Sequence, residues 1–483
     1  MSVSEKQISR QHILDADASL LAEMIHNREI TSLFATQTYI ARIQEINPFI
    51  NSLVEDRFSQ AIKEAEAADE SIRNGTASGR LFGVPVSMKE CFDVAGMKTT
   101  GGLKHLATET KYRDAAIVAL LRGEGAIILG KTNTPALCFY QETDNKLYGR
   151  TNNPWNLSRT AGGSSGGEGA LIAAGGAAVG IGSDIGGSIR FPAHFNGVVG
   201  FKSGKHQVSY EGGFPPVTEP LQTRMLGVGA MAKTVRDAIL INEILTQQVP
   251  ESKYLHSFDI LMPVDEVAYP VNPATRQTLD LIKAFLEKQF TVLDEQPPYY
   301  EASSLIWQLV MSIDGAREIA GIAYGQNKPQ AARDYVTEKL FRSSDLPHFL
   351  TWALIGANLF KPGPEQMKEL SDTIREGDKA LSRELNNRLL ILPVYHSPAP
   401  EHGKLYKEIF SIRKTYMKYM PFTAYANVWG LPALTIPVGE DIDGMPISIQ
   451  IIGLEGNENA IFQLGALLEG NFRRYRRAEP AIE

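Results

Sequence analysis

Cysteine is almost missing from this chain: Cys91 and Cys138 are the only two in 483 residues. Two thiols cannot build a disulfide framework, and no Cys/His cluster has the spacing of zinc ligands. Both read as buried thiols in a reducing compartment. Long apolar runs are missing too. No uncharged apolar run reaches the ~18–20 residues needed to cross a bilayer, and the nearest, 169–183, is short and rich in glycine. The opening MSVSEKQISRQH has no apolar core and no cleavage-site pattern. No signal peptide is therefore expected, and the expected location is cytoplasmic. A basic excess is also absent. The formal net charge is −7, whereas holding nucleic acid needs a basic face for the phosphates, so no nucleic-acid partner is expected.

What is present is the ordinary material of a globular protein. Hydrophobic residues make up 43% and charged residues 21%, which supports a sizeable core. Asp17 caps an amphipathic helix reaching Arg28, and Thr31 or Ser32 caps a second that ends near Asn47 and Pro48. An Ala- and Glu-rich third spans 57–74, and the three are expected to form an N-terminal helical layer. The pattern then changes. Leu81–Lys89 (LFGVPVSMK) reads as a strand ending at Lys89, Asp114 opens a helix, and Ala126–Leu129 follows as a short buried strand. Helix–strand alternation of this kind predicts an α/β sheet. KTNTP (131–135) and 147–155 read as loops. Further strands are expected at 198–201, 258–262, 290–293, 389–392 and 447–452, and helices at 234–245, 273–289 and 457–468. The region 299–390 reads as mostly helical, with a break at 361–364.

The stretch from Ala161 to Arg190 (AGGSSGGEGALIAAGGAAVGIGSDIGGSIR) is crowded with small residues, and its apolar runs need burial. A phosphate loop would need a lysine after the glycines, and none follows. A dinucleotide fingerprint fails where Ile185 replaces its last glycine. Gly162–Gly166 satisfies GxSxG, the nucleophile elbow of α/β-hydrolases, with Ser164 as the nucleophile of an esterase-type enzyme. That reading requires a downstream histidine, and His206, His256, His348, His396 and His402 all sit in unmarked contexts. Ser411–Lys414 (SIRK) fits SxxK but follows Lys202-Ser203-Gly204, the reverse of the order in penicillin-binding enzymes.

Taken with GVPVSMKE around Lys89, GKTNTP (130–135), GRTNNPWN (149–156), NVWGLPALTIPVG (427–439) and GMPISIQIIG (444–453), the stretch resembles the amidase signature family of Ser–Ser–Lys hydrolases. GGSSGGEGA and DIGGSIRFPA are most similar to its fatty acid amide hydrolase branch. The resemblance implies Ser188 as nucleophile, Ser164 as the bridging serine, joined to Gly163 by a cis bond, and Lys89 as base. A serine hydroxyl is a weak nucleophile until a base takes its proton, and a lysine serves near neutral pH only where burial disfavours its charge. The apolar run before Lys89 supplies that surrounding. The family's oxyanion hole corresponds to the N–H groups of Ile185, Gly186, Gly187 and Ser188, where side chains at 186 and 187 would obstruct the acyl oxygen. Ser165, Asp184 and Arg190 are expected to hold this turn by hydrogen bonds.

The implied fold is a single large α/β amidase-signature domain over 1–483, a central mixed sheet covered by helices on both faces. Within it, 1–75 is the helical layer, 81–245 the catalytic core, 246–390 a variable substrate-side region and 391–483 the rest of the core. The implied activity is hydrolysis of a carboxylic amide, with a fatty acyl chain as the candidate, and needs no metal and no cofactor. Phe139 aligns with a channel-lining segment and is the candidate acyl contact. HFLTWALIGANLF (348–360) reads from its residues as a buried core helix, while the resemblance implies an apolar cap facing a membrane. Expected partners are a small-molecule amide, at most a peripheral membrane contact, and a second copy in a homodimer. The rival is the A subunit of a glutamyl-tRNA amidotransferase, a glutaminase, against which the apolar 348–360 argues.

Overall fold

The apolar segments assemble into one mixed sheet whose middle strands are buried end to end. The structure is a computed structural model that describes residues 8–264, 271–410 and 413–480. The opening MSVSEKQ and Ser411 and Ile412 of the SIRK segment lie outside those residues. The strands are β1 (Leu53–Asp56), β2 (Pro85–Lys89), β3 (Ile127–Thr132), β4 (Asn152–Asn153), β5 (Asn156–Thr160), β6 (Val179–Asp184) and β7 (Val199–Lys202). They continue with β8 (Gly227–Ala232), β9 (Asp259–Leu261), β10 (Val292–Leu293), β11 (Arg388–Pro393), β12 (Ala433–Glu440) and β13 (Pro446–Ile452). β4 and β5 form a hairpin; the other 11 pair in the order β1-β3-β2-β6-β8-β7-β12-β13-β11-β9-β10. β3, β2 and β6 run parallel, as do β11, β9 and β10, and the strands between them pair antiparallel.

Both faces of this sheet are covered. Successive residues of a strand point to opposite sides, and along β11 Leu389 and Ile391 join one hydrophobic core while Leu390 and Leu392 join another. The first core extends from Ile13 to Leu468 and so ties the N-terminal helices to the last one. The second is built with Tyr300, Ile374, Phe422 and Trp429 from the helical region and the helix 421–428.

Several elements depart from the pattern read in the sequence. β2 begins at Pro85, because Leu81 and Gly83 donate instead to the carbonyls of Glu124 and Gly125 at 3.0 and 2.9 Å. Asp114 caps no helix: its carboxylate accepts the Ala95 N–H at 2.7 Å, and the helix starts at Ala116. The second helix runs through Pro48 to Ile50, since a proline in the last turn removes a single backbone bond. β1, β6, β8 and β12 had no strand reading, and β4 and β5 fall in a stretch read partly as loop. β8 (GVGAMA) is poor in side chains because β7 passes close: a Cβ on Gly229 would lie 2.0 Å from the Phe201 carbonyl oxygen. The 348–360 segment forms the helix His348–Leu359, with Phe349, Leu350, Thr351 and Leu354 buried. Phe349 stacks on Tyr140 with ring centres 4.4 Å apart, whereas Leu359 at the far end is 72% exposed.

One charged residue sits deep in this framework. Glu168, on the helix Gly166–Ala173, is fully buried. It accepts hydrogen bonds from the hydroxyl of Ser87, two residues before Lys89 on β2, and from that of Thr132, the residue paired with Lys89 across β3, at 3.0 Å. Gly180 makes the room; a Cβ there would lie 1.9 Å from the Glu168 carboxyl. Burial lifts the Glu168 carboxyl from 4.5 to about 7, against the pull of the two hydroxyls and of Lys89. A carboxyl raised in this way holds a proton that the unfolded chain releases, so its stabilising effect is full below the unfolded value and is lost as pH climbs to the folded one. Glu168→Gln keeps the neutral shape. Between about pH 5 and 7 the wild-type unfolding free energy is expected to fall relative to the variant by on the order of 1 kcal/mol per pH unit. Urea titrations across that range check it, and parallel pH dependences would contradict it.

Candidate active site

β3, β2 and β6 end together, and the candidate residues lie just beyond their carboxyl ends, where open α/β sheets present ligand sites. Lys89 is the last residue of β2 and Asp184 the last of β6. The pairing of Met88 with Ile181 sets Lys89 beside the end of β6. Lys89 is completely buried, and its ammonium nitrogen meets three oxygens: Ser164 Oγ at 2.7 Å, Ser183 Oγ at 2.9 Å and the Ser183 carbonyl at 3.4 Å. With two N–H groups directed at Ser183, the third position on the nitrogen faces Ser164. Ser183 had no place in the sequence reading, although a polar residue at the end of the apolar VGIGSD strand is a signal of its own.

Ser164 stands between the β5 hairpin and the helix Gly166–Ala173. Its bond to Gly163 is cis, and its carbonyl accepts the Thr134 hydroxyl at 3.0 Å. A Cβ at Gly163 would lie 2.6 Å from the Tyr140 carbonyl oxygen, so the bare backbone is what fits against the neighbouring loop.

The turn Asp184–Ser188 is held from within. The Asp184 carboxylate accepts the N–H of Gly187 at 2.8 Å and of Ile189 at 3.1 Å, and pairs with the Arg190 guanidinium through two contacts of 3.0 Å. Asn427 donates to the same carboxylate at 2.9 Å, and Arg190 donates onward to Asn427 and, at 2.9 Å, to Gln450. Burial works against the charge of Asp184, but Arg190, Lys202 and the Asn427 amide outweigh it and hold the carboxyl well below its usual range. Asn427 and Gln450 come from opposite ends of the C-terminal motifs, and Gln450 is the one amide in the apolar ISIQII run.

The structure alters one expectation about the turn and adds detail to two others. The Gly187 N–H is committed to Asp184, so it is not free to face an oxyanion. The N–H groups of Ile185, Gly186 and Ser188 have no hydrogen-bond partner among the described residues. The glycines are explained by what lies behind them. A Cβ on Gly186 would lie 2.8 Å from the Trp307 indole, and one on Gly187, whose φ of +100° disfavours other residues, 2.6 Å from Phe191. Trp307, which no sequence signal marked, also donates its indole N–H to the Ile185 carbonyl at 2.7 Å. Ser165 holds the turn through its backbone N–H, 3.1 Å from the Ser188 carbonyl, while its buried hydroxyl has no partner and packs against Gly182.

Ser164, Ser183, Ile185 and Ser188 open on one cavity of about 150 Å³. Its wall is apolar along Leu137, Phe139, Val217, Leu226, Met311 and Ile319, and also includes the carboxylates of Glu219, Asp314 and Glu318. Phe139, the candidate acyl contact, is among the residues that line this cavity. No hydrogen bond joins the Ser164 and Ser188 hydroxyls; they share only the cavity. The helix 348–359 does not line it and packs one layer behind, against Leu137, Tyr140 and Ala316. Among the described residues no histidine lines the cavity, which removes the base that a GxSxG elbow at Ser164 would need. His396 instead faces Glu408 at 3.2 Å, and His402 faces the Leu157 carbonyl at 3.3 Å. Among the described residues no group of three or more His, Cys, Asp or Glu side chains is arranged to hold a metal ion.

The amidase family model matches residues 35–462. Fatty-acid amide hydrolase 2-B of Danio rerio is 33% identical over 491 aligned positions, covering 95% of this chain and 90% of the relative. The A subunit of the glutamyl-tRNA(Gln) amidotransferase of Chlamydia pneumoniae is 29% identical, covering 92% and 93% of the two chains. Among solved structures, a 6-aminohexanoate cyclic dimer hydrolase in complex with substrate superimposes with a TM-score of 0.79 at 26% identity, over 96% of this chain and 99% of its own. The chain belongs to the amidase family and is a hydrolase of carbon–nitrogen (amide) bonds.

Proposed function

We propose that Ser188 attacks the amide carbonyl, that Ser164 relays protons, and that Lys89 is the base. The carrying observation is the buried Lys89–Ser164 contact of 2.7 Å, on a cavity that Ser188 also lines. With Lys89 neutral, its lone pair accepts the Ser164 proton while its two N–H groups stay on Ser183. Ser164 in turn accepts the Ser188 proton as the Ser188 Oγ–carbon bond forms. The two serines must close their gap when substrate binds, as contacts in empty sites commonly do. Negative charge then gathers on the former carbonyl oxygen, where the unpaired N–H groups of Ile185, Gly186 and Ser188 are the donors at hand, and donors fixed in place before reaction can each be worth about 3 kcal/mol. The relay runs backwards to protonate the departing nitrogen, and the carbon–nitrogen bond breaks. Water, deprotonated through the same relay, cleaves the acyl-Ser188 ester. The sum is amide plus water to acid plus amine or ammonia.

The apolar part of the cavity wall, Phe139 included, supports an acyl chain, and the 33% identical relative is a fatty-acid amide hydrolase. Val336, Leu340, Phe341, Leu359 and Phe360 are exposed on the helices 331–341 and 348–359 or just past their ends, which supports a peripheral contact with an apolar surface. No described helix is long and apolar enough to cross a membrane. The two unbridged cysteines support a reducing, cytoplasmic setting. The amidotransferase relative keeps a glutaminase in view as the second reading.

Ser188→Ala is expected to lower kcat by at least about 10³-fold and to abolish labelling by a fluorophosphonate. Ser164→Ala and Lys89→Ala should cost roughly 10²–10⁴-fold, with the fold intact by circular dichroism. Labelling that survives in Ser188→Ala and is lost in Ser164→Ala would reverse the assignment. In a panel of acetamide-like, aromatic and oleamide-like amides plus glutamine, kcat/KM is expected to rise with acyl length. A preference for short polar amides would defeat the acyl reading, and a preference for glutamine would favour the glutaminase.

A further inference from the structure

The fold brings the chain's two cysteines together beside the Lys89–Ser164 pair. Cys91 lies two residues past Lys89, just beyond β2, and is buried. Cys138 belongs to the loop after β3, where Leu137 and Cys138 both have positive φ, and its partly exposed side chain lines the cavity with Ser164 and Ser188. Phe214 links the two: its N–H donates to the Cys91 carbonyl at 2.8 Å, and its own carbonyl lies 4.0 Å from Cys138 Sγ. Each thiol bears on the ionisation of the other.

Each thiol touches a hydroxyl of the candidate site. Cys91 Sγ lies 3.8 Å from Ser183 Oγ, which accepts from Lys89. Cys138 Sγ lies 3.2 Å from Thr134 Oγ1, which donates to the Ser164 carbonyl. Their environments differ in sign. Burial pushes the Cys91 thiol well up, whereas the neighbouring Cys91, and after it the charge of Lys89, hold Cys138 below the ordinary thiol range. A thiol open to a cavity with a second, buried thiol nearby is the arrangement in which the first sulfur meets an oxidant and the other resolves the product.

We propose that Cys138 is an oxidation site within the amidase cavity, with Cys91 as its resolving thiol, so that a peroxide closes a Cys91–Cys138 disulfide and reversibly stops turnover. The Cys138 thiolate attacks one peroxide oxygen; the sulfur–oxygen bond forms, the oxygen–oxygen bond breaks, and water or an alcohol leaves after protonation. The Cys91 sulfur then displaces hydroxide from the sulfenic acid, giving the disulfide and a second water. Two thiols lose two electrons and two protons, and the peroxide accepts them. The new bond draws Cys91 from Ser183 and Cys138 from Thr134, the hydroxyls that touch Lys89 and the Ser164 carbonyl, and it shifts Phe139 next in the chain.

The loss of turnover rests on the proposed roles of Lys89 and Ser164, but the disulfide itself does not, so the two are measured separately. The full-length enzyme is treated with hydrogen peroxide, assayed on the best amide of the panel, and digested with trypsin without reduction. The expected result is a roughly tenfold or greater loss of turnover, restored by dithiothreitol, with peptide 90–98 joined to peptide 132–146. Cys138→Ala, compared with its own untreated activity, should be insensitive. Cys91→Ala should still lose activity, but with a sulfenic acid at Cys138 captured by a dimedone-type probe. The wild-type peptide map needs no variant to fold. Absence of the joined peptides, or an equal loss in Cys138→Ala, would overturn the proposal. Joined peptides with undiminished turnover would overturn its control of the reaction. An enzyme inactive on every amide before peroxide is added would instead count against the roles given to Lys89 and Ser164.

Discussion

The buried pair Asp184–Arg190 is the interaction on which the rest of the site depends. Both side chains are fully out of water, and neither could be left alone there; breaking a buried pair by removing one partner costs about 3–5 kcal/mol. Here both members of the pair are supplied with hydrogen-bond partners. Asp184 gathers Gly187, Ile189, Arg190 and Asn427, and Arg190 reaches Asn427 and Gln450, so the end of β6, the turn before Ser188, the helix 421–428 and β13 share one network. That network sets where Ser188 stands relative to Lys89, which is fixed independently by β2. Two rigid supports meeting at one cavity give the preorganisation that amide cleavage requires.

Much of this could be read from the chain, and what could not has physical reasons. Lys89 closes a buried run that ends in a charge, and β2 delivers that charge to the carboxyl edge of the sheet. Ser164 and Ser188 stand in motifs whose small residues are legible as close approaches. What they approach is not legible: Trp307 and Phe191 behind the glycines, and Ser183 as the second seat for Lys89, are matters of tertiary contact. β8 and β12 escaped notice because glycines and Pro437 hide a strand pattern that the neighbouring strands, and not the local residues, enforce. The freedom of the Gly187 N–H could not be judged until Asp184 was seen to take it. Helix 348–359 was legible as apolar and as half core, but its place behind the cavity wall, and not in it, depends on the Tyr140–Phe349 stacking.

A second set of buried polar groups surrounds Lys89. Glu168 sits behind it through Ser87 and Thr132, Ser183 and Ser164 hold its nitrogen, and the two thiols lie beyond those serines. A buried lysine is costly to leave without partners, and here Ser164 and Ser183 supply its hydrogen bonds.

The most direct measurement of the proposed chemistry is the site of the acyl group during turnover. Ser164 and Ser188 fall in the same tryptic peptide, 160–190, so fragment ions must separate them. Quenching the enzyme in acid during reaction with an activated acyl ester and sequencing that peptide is expected to place the acyl mass on Ser188. An acyl group on Ser164, or none on either serine while product forms, would contradict it.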